Sequence, residues 1–94
     1  MQNKNDDKFT RVANKVIEDL SLKSSDKSVY MALSYYADNK TGECYPRRDT
    51  ILKVSGVSDK TLRNSIKNLE IKGYISVSSR TINGKFSSNL YRLK

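Results

Sequence analysis

The clearest periodic pattern in the chain lies between residues 58 and 73. Leu62, Ile66 and Leu69 recur at i, i+4 and i+7, which is the spacing of one buried face on an α-helix. Ser58 precedes this stripe as a natural N-cap, and Gly73 follows it where a helix commonly ends in a left-handed residue. The pattern therefore predicts a capped amphipathic helix between these two residues.

Two further helices are predicted ahead of this one. The first is indicated by an apolar stripe made of Val29, Ala32, Leu33 and Tyr36. With Ser25 as its N-cap, we expect this helix to run from Asp26 to about Asp38. The second is expected from about Arg47 to Val54, and Gly56 after it supplies the positive φ that a tight turn between helices requires.

Beyond Gly73 the hydrophobic period changes to that of a strand. Ile75 and Val77 alternate with serines, which is typical of a strand with one solvated face. Asn83-Gly84 is a preferred sequence for a type I′ turn, and the alternation resumes after it. In the returning strand the alternation runs through Phe86, Ser88, Leu90 and Arg92. The sequence therefore predicts a C-terminal β-hairpin.

The N-terminal part of the chain gives weaker signals. Residues 1–8 are expected to form a flexible arm, and residues 9–94 a single domain. Between Phe9 and Leu20 the apolar residues have mixed spacing, which fits a short helix or an irregular arm that packs one face. Cys44-Tyr45 is expected to be a brief extended piece, because Pro46 disfavours helical backbone in the residue before it.

Charge divides the chain into two unlike halves. The 94 residues carry a net charge of +8, and a chain of this size supports one core. Up to Pro46, seven basic residues are balanced by seven acidic ones, whereas residues 47–94 hold eleven basic and three acidic residues. A polyanion site is therefore expected in the second half. The alternative is that the excess of lysine and arginine only keeps the protein soluble.

Several function classes are excluded by residue types that the sequence lacks. One cysteine and no histidine provide neither an internal disulfide nor a common zinc site, so Cys44 is expected to be a small core residue. We expect no cofactor and no enzymatic activity, because the usual nucleophile and general-base pairs are missing. Without a signal peptide or a long apolar run, a soluble cytoplasmic protein without membrane contact is expected.

The order of these elements is that of an α+β winged helix-turn-helix domain, with about three helices followed by a β-hairpin wing. In its motifs the chain resembles the bacterial winged helix-turn-helix family of plasmid and phage replication proteins and small mobile-element proteins. The resemblance is carried by Tyr45-Pro46, Ile51, Gly56-Val57-Ser58, Thr61-Leu62, Ile66, Leu69-Glu70, Gly73-Tyr74-Ile75 and Asn89-Leu90-Tyr91. One departure is Arg47, which stands after the proline where the family usually has serine, and its positive charge is unfavourable near a helix N-terminus. A bound phosphate would offset this penalty.

Candidate DNA-binding residues fall on three elements. In the capped helix, arginine and asparagine can read guanine and adenine, while lysine and threonine mostly hold phosphates. A hairpin wing can reach the minor groove or the flanking phosphates. The predicted DNA-binding residues are Arg47, Arg48, Ser58, Lys60, Thr61, Arg63, Asn64, Lys67, Arg80, Thr81, Asn83, Gly84, Lys85 and Arg92. Asn68 also lies off the apolar stripe of the helix.

These features predict a sequence-specific duplex-DNA-binding protein of a plasmid, phage or other mobile element. With no effector domain in the sequence, we expect it to act by occupying DNA, as a regulator or as a replication or DNA-transfer accessory at an origin. One alternative is a single-stranded DNA binder that stacks bases on tyrosines, with Tyr30 and Tyr35 as candidates and Tyr36, Tyr74 and Tyr91 expected in the core. Another is a replisome protein-interaction module with the same fold. A homodimer would form through the neutral half, with Phe9, Val12 and Tyr30 available.

Overall fold

The computed structural model describes residues 9–94, so the predicted flexible arm at residues 1–8 lies outside the described residues. The elements follow in the order α1 (Asn14–Ile17), α2 (Ser24–Tyr36), β1 (Glu43–Cys44), α3 (Arg48–Ser55), α4 (Asp59–Ile71), β2 (Ile75–Ile82) and β3 (Lys85–Leu93). The strands form an antiparallel sheet in the order β1-β3-β2. This arrangement of helices and a small sheet confirms the predicted α+β winged helix.

The helix α2 starts earlier than the sequence predicted. Its N-cap is Lys23, and the Asp26 carboxylate accepts a hydrogen bond of 3.1 Å from the Lys23 backbone N–H. The prediction of Ser25 as N-cap was wrong. Asp26 is the third residue of the helix, and its side chain bonds back to the N-cap residue Lys23. Asp26 is 2 % exposed and fixes the start of α2 from inside the protein.

The helix-turn-helix unit is confirmed almost residue by residue. Gly56 ends α3 with a φ of 75°, as the tight turn required. Ser58 caps α4 by accepting a hydrogen bond of 3.2 Å from the Thr61 backbone N–H. Past the last turn of α4, Gly73 has a φ of 80°. Each of these positions was predictable, because the constraint acts on neighbouring residues only.

The core is built around α2, which packs against both α3 and α4. Its largest fully buried hydrophobic residues are Leu33, Ile51, Leu62, Leu69, Ile75, Val16 and Val29. In α4 the predicted stripe is confirmed, since Leu62 and Leu69 are buried and Ile66, partly buried, packs against the core. Ser65, which the sequence did not predict to be buried, is 1 % exposed. Cys44 is buried, as predicted, and its thiol donates to the Leu33 carbonyl.

A β-bulge changes the outer half of the hairpin. Asn83 and Gly84 both have positive φ, at 53° and 77°, which confirms the type I′ turn. The pairing register shifts by one residue between Arg80 and Thr81, so that Phe86 pairs with Thr81. Phe86 therefore does not share a face with Ser88, Leu90 and Arg92, and that predicted alternation was wrong. The bulge inserts an extra residue that a sequence pattern of period two cannot anticipate.

The third strand was not part of the predicted hairpin. Glu43 pairs with Arg92 and Cys44 with Tyr91. The extended piece predicted at Cys44-Tyr45 therefore lies one residue earlier, at Glu43–Cys44, and it pairs with β3, which was not predicted. Gly42 makes this approach possible, because a Cβ at that position would lie 2.9 Å from the Leu93 carbonyl oxygen. The strand brings Tyr45, at the start of the helix-turn-helix unit, next to the hairpin.

The segment before α2 packs one side, as predicted, although only four of its residues form a helix. Val16 is fully buried, whereas Leu20 is 93 % exposed. The Tyr74 hydroxyl donates a hydrogen bond of 2.7 Å to the Asp19 carboxylate and ties this segment to the residues that follow α4. None of the helices among residues 9–94 has the length and apolar character needed to cross a membrane.

Candidate nucleic-acid interface

The outward side of α4 carries a stripe of three long polar side chains. Lys60, Asn64 and Lys67 lie four and three residues apart, which places them on one helix face, and all three are exposed. The opposite face is the buried one, with Leu62, Ser65 and Leu69. We call Lys60, Asn64 and Lys67 the outer stripe; their backbone is held from behind while their side chains point to solvent.

One flank of α4 is occupied by an ion-pair cluster at the helix start. The Arg48 guanidinium donates a hydrogen bond to the Asp59 carboxylate, and Arg63 lies 4.0 Å from the other oxygen of the same carboxylate. The bond from Arg48 holds the pKa of Asp59 below its usual range. Arg48 therefore joins the starts of α3 and α4, whereas Arg63 makes only a long ion pair with the same carboxylate and is 67 % exposed.

Several polar residues near the outer stripe have structural partners. The Ser58 side-chain oxygen accepts a hydrogen bond from the Thr61 backbone N–H, and the Ser58 hydroxyl donates one of 3.0 Å to the Thr61 hydroxyl. Asn68 donates its side-chain N–H to the Asp26 carboxylate at 3.3 Å. Ser58 and Thr61 thus cap α4, and Asn68 joins α4 to α2 instead of facing outward.

Arg47 takes the N-cap position of α3 and is exposed. Its side chain makes no capping hydrogen bond, and Asp49 in the first turn supplies the negative charge that suits this helix end. The predicted contact between Arg47 and DNA is compatible with this placement and stays a prediction.

The hairpin supplies a second basic surface. The Arg80 guanidinium lies over the Tyr45 ring, 4.1 Å from its centroid, and within 3.5 Å of the Ser87 hydroxyl. Thr81, Asn83, Gly84 and Lys85 are all exposed around the turn. The structure thus brings five of the predicted wing residues together at one end of the hairpin.

Arg92 lies apart from these wing residues. Its guanidinium donates a hydrogen bond of 2.9 Å to the Glu43 carboxylate on β1. It stands eight residues beyond Gly84, which is about 26 Å along an extended strand. Arg92 therefore belongs to the base of the sheet and is already paired with an acid.

Exposed apolar residues on these two elements were missed by sequence reasoning. Ile71 at the end of α4 is 74 % exposed, and Ile82 and Phe86 beside the hairpin turn are 47 % and 65 % exposed. For the hairpin a signal was present, because Ile82 and Phe86 flank a two-residue turn at the point farthest from the core. The alternating pattern alone assigned Phe86 to the wrong face.

The tyrosines do not assemble into a stacking surface. Tyr30 and Tyr91 are buried, Tyr74 is bonded to Asp19, and the rings of Tyr35 and Tyr36 contact each other edge to face at 4.8 Å. Tyr45 is 53 % exposed, with Arg80 over its ring. Tyr30 is also withdrawn from the predicted dimer surface, since it is only 2 % exposed; Val12 is partly buried and Phe9 remains exposed.

Comparison with known proteins agrees with this geometry. A family described as a helix-turn-helix domain matches residues 20–75, more than half of the chain. No curated protein and no solved structure gave a significant match. The matched range contains α2, α3, the turn at Gly56 and α4 with its outer stripe. The chain therefore belongs to the helix-turn-helix domain family, and DNA is the partner that this family implies.

Proposed function

We propose that this protein binds duplex DNA in a sequence-specific way, with α4 in the major groove and the hairpin against an adjacent groove. The observation that carries the proposal is the outer stripe. Lys60, Asn64 and Lys67 project from a helix whose opposite face is anchored in the core. An exposed helix fits the major groove, where asparagine pairs with adenine and lysine with guanine or phosphate.

The roles of the candidate residues differ within this proposal. Asn64 and Arg63 read base edges, because their side chains are exposed and end in groups that can bond two base atoms at once. Lys60 and Lys67 hold phosphates on either side of them. Ser58, Thr61 and Arg48 act indirectly, by fixing where α4 begins.

The proposed biological setting is a plasmid, phage or other mobile element. There the protein would act as a small regulator or as a replication or DNA-transfer accessory at an origin. This part rests on the resemblance of the turn and helix-exit motifs. The location of the bound site in the parent element separates these roles, because a regulator occupies a promoter and an accessory factor occupies an origin.

The decisive test is selection of bound duplexes from a random pool, followed by titration of the selected site. If about five phosphates are neutralised, log K falls with log salt at a slope of about −4 to −5. Asn64→Ala is expected to relax the sequence preference, whereas Lys40→Ala, an exposed lysine in the neutral half, serves as the matched control and leaves binding unchanged. Absence of any preferred duplex, or tighter binding of unrelated single strands, would contradict the proposal.

A further inference from the structure

The outer half of the hairpin presents an aromatic ring that is largely exposed among the described residues 9–94. Phe86 is 65 % exposed and Ile82 is 47 % exposed, on either side of the Asn83-Gly84 turn. The buried residues of the sheet are Cys44, Ile75 and Tyr91, at the other end of the strands. Phe86 therefore lies beyond the reach of the core.

The bulge determines which way this ring faces. Thr81 lies on the same face of β2 as Ile75 and Val77, because β2 itself alternates without interruption. Phe86 pairs with Thr81 and shares its face. This is the face that packs against the helices, so Phe86 overhangs the same side of the sheet as α4. Without the shift in register, Phe86 would lie on the opposite face.

The charge around the ring indicates what it contacts. The outer half of the hairpin, residues 79–87, includes two basic residues, Arg80 and Lys85, and no acidic residue. An exposed aromatic ring in a purely basic surrounding matches a partner that is both anionic and rich in flat apolar surface. A base-pair step opened from the minor groove of a duplex has both properties.

The hairpin is also held in a fixed direction. Arg80, just before the bulge, is stacked on Tyr45 and bonded to Ser87, and the connection is a tight two-residue turn. A rigid mount matters because unstacking a base step costs energy, and any ordering of the hairpin on binding would add to that cost.

We propose that Phe86 is a wedge that enters the minor groove, partly unstacks one base step and kinks the duplex. Arg80, which precedes the bulge, and Lys85, the residue before Phe86, hold the flanking phosphates. The proposal rests on the duplex binding proposed above. The kink is expected at a pyrimidine–purine step, which is the most easily unstacked, and its size is expected to be about 20–90°.

The test uses the full chain and the duplex that it selects, carrying fluorophores at both ends and 2-aminopurine at the central steps. Saturating protein is expected to shorten the end-to-end distance and to raise 2-aminopurine fluorescence at one step. Phe86→Ala is expected to abolish both signals and to weaken binding by about tenfold. Lys85→Ala, the neighbouring control, weakens binding but keeps the kink at saturation. Thermal melting should show both variants folded like the parent, since both residues are exposed.

Three results would overturn the wedge and leave duplex binding intact. The first is an unbent duplex under saturating parent protein, and the second is equal bending by the parent and Phe86→Ala. Loss of the kink in Lys85→Ala to the same extent as in Phe86→Ala would also overturn it, because charge alone would then cause the bend. Failure of the parent to bind any duplex would instead overturn the proposed function itself, and the wedge with it.

Discussion

The helix α4 and the hairpin are both basic and exposed, yet they are built in opposite ways. The helix is buried along one face, capped at both ends and joined to its neighbours through Asp59 and Asn68. The hairpin between residues 79 and 87 buries no residue and is braced by the contact between Arg80 and Tyr45. The helix α4 presents its side chains at fixed spacing because its backbone is anchored in the core. The outer half of the hairpin is instead held by a contact at its base.

Acidic residues also distinguish the helix from the hairpin. The helix carries Asp59 and Glu70 close to its basic residues, and Asp59 engages two arginines. No acidic residue follows Glu70 in the sequence. On the proposed duplex binding, we expect acids near the helix to oppose binding to arbitrary phosphates and the hairpin to attract any duplex. We therefore propose that the helix provides selectivity and the hairpin general affinity.

The largest expected effect is on the free energy of unfolding, because α4 is anchored in the core and the outer hairpin is not. Leu62→Ala removes a fully buried side chain from α4 and is expected to lower the free energy of unfolding by about 2–5 kcal/mol. Ile82→Ala in the hairpin is expected to change it by less than about 0.5 kcal/mol. Urea denaturation of both variants measures the difference. Similar losses in the two variants would show that the hairpin is as firmly packed as the helix.

The next effect separates the two surfaces in DNA binding. Lys60→Ala with Lys67→Ala is expected to weaken binding to the selected site roughly tenfold and to reduce the salt slope by about 2, because two phosphate contacts are lost. Arg80→Ala with Lys85→Ala should weaken selected and unrelated duplexes equally. Titrations at several salt concentrations check this. A hairpin variant that loses sequence preference more than Asn64→Ala does would reverse the assignment.

A smaller effect is expected from removing the acid at the helix start. Asp59→Asn releases Arg48 and Arg63 and deletes one negative charge beside the outer stripe, so affinity for all duplexes is expected to rise severalfold at low salt. The gain should vanish at high salt. Glu43→Gln, which frees Arg92 at the base of the sheet, is the matched control and is expected to change affinity less. Equal gains would mean that the position of the acid is irrelevant.

The smallest effect lies outside both surfaces, at the contact between Asp19 and Tyr74. Hydrogen bonds from Ser21 and Tyr74 lower the pKa of Asp19 from 3.8 to about 2. A carboxyl whose pKa is lowered by folding stabilises the folded state at pH values above its pKa in the unfolded chain. That contribution is lost as the pH falls toward 2. Asp19→Asn is therefore expected to lower stability slightly at pH 7, and the difference from the parent should shrink between pH 4 and pH 2. Thermal melts across this range measure it; a difference that stays constant would contradict the prediction.

Local signals in the sequence predicted much of the fold and part of the site. Gly56, Ser58 and Gly73 act through backbone geometry within one turn, and each fulfils its predicted role. The cap of α2 was misplaced because Ser25 and Lys23 compete for one position, and the outcome depends on where Asp26 points. A short-range pattern cannot settle such a competition.

Long-range partners could not be read from the sequence. Arg48 and Asp59 are eleven residues apart, and Asp26 and Asn68 forty-two, so each pair exists only once the helices cross at their final angle. Tyr30 looked available for pairing with a second copy because an aromatic residue fits both a core and a surface. The register shift at Arg80 is likewise set by the sheet as a whole, and with it the face that Phe86 takes.

The division between the two faces of α4 has an evolutionary consequence. Lys60, Asn64 and Lys67 are all exposed, while Leu62, Ser65, Leu69 and Asn68 hold the helix in place. On the proposed duplex binding, mutations in the first group can therefore change which DNA site is preferred without drawing on the small reserve of stability of a small domain. A lineage carrying this fold can diverge in target site by changing a few exposed codons, and its inward residues should change far more slowly.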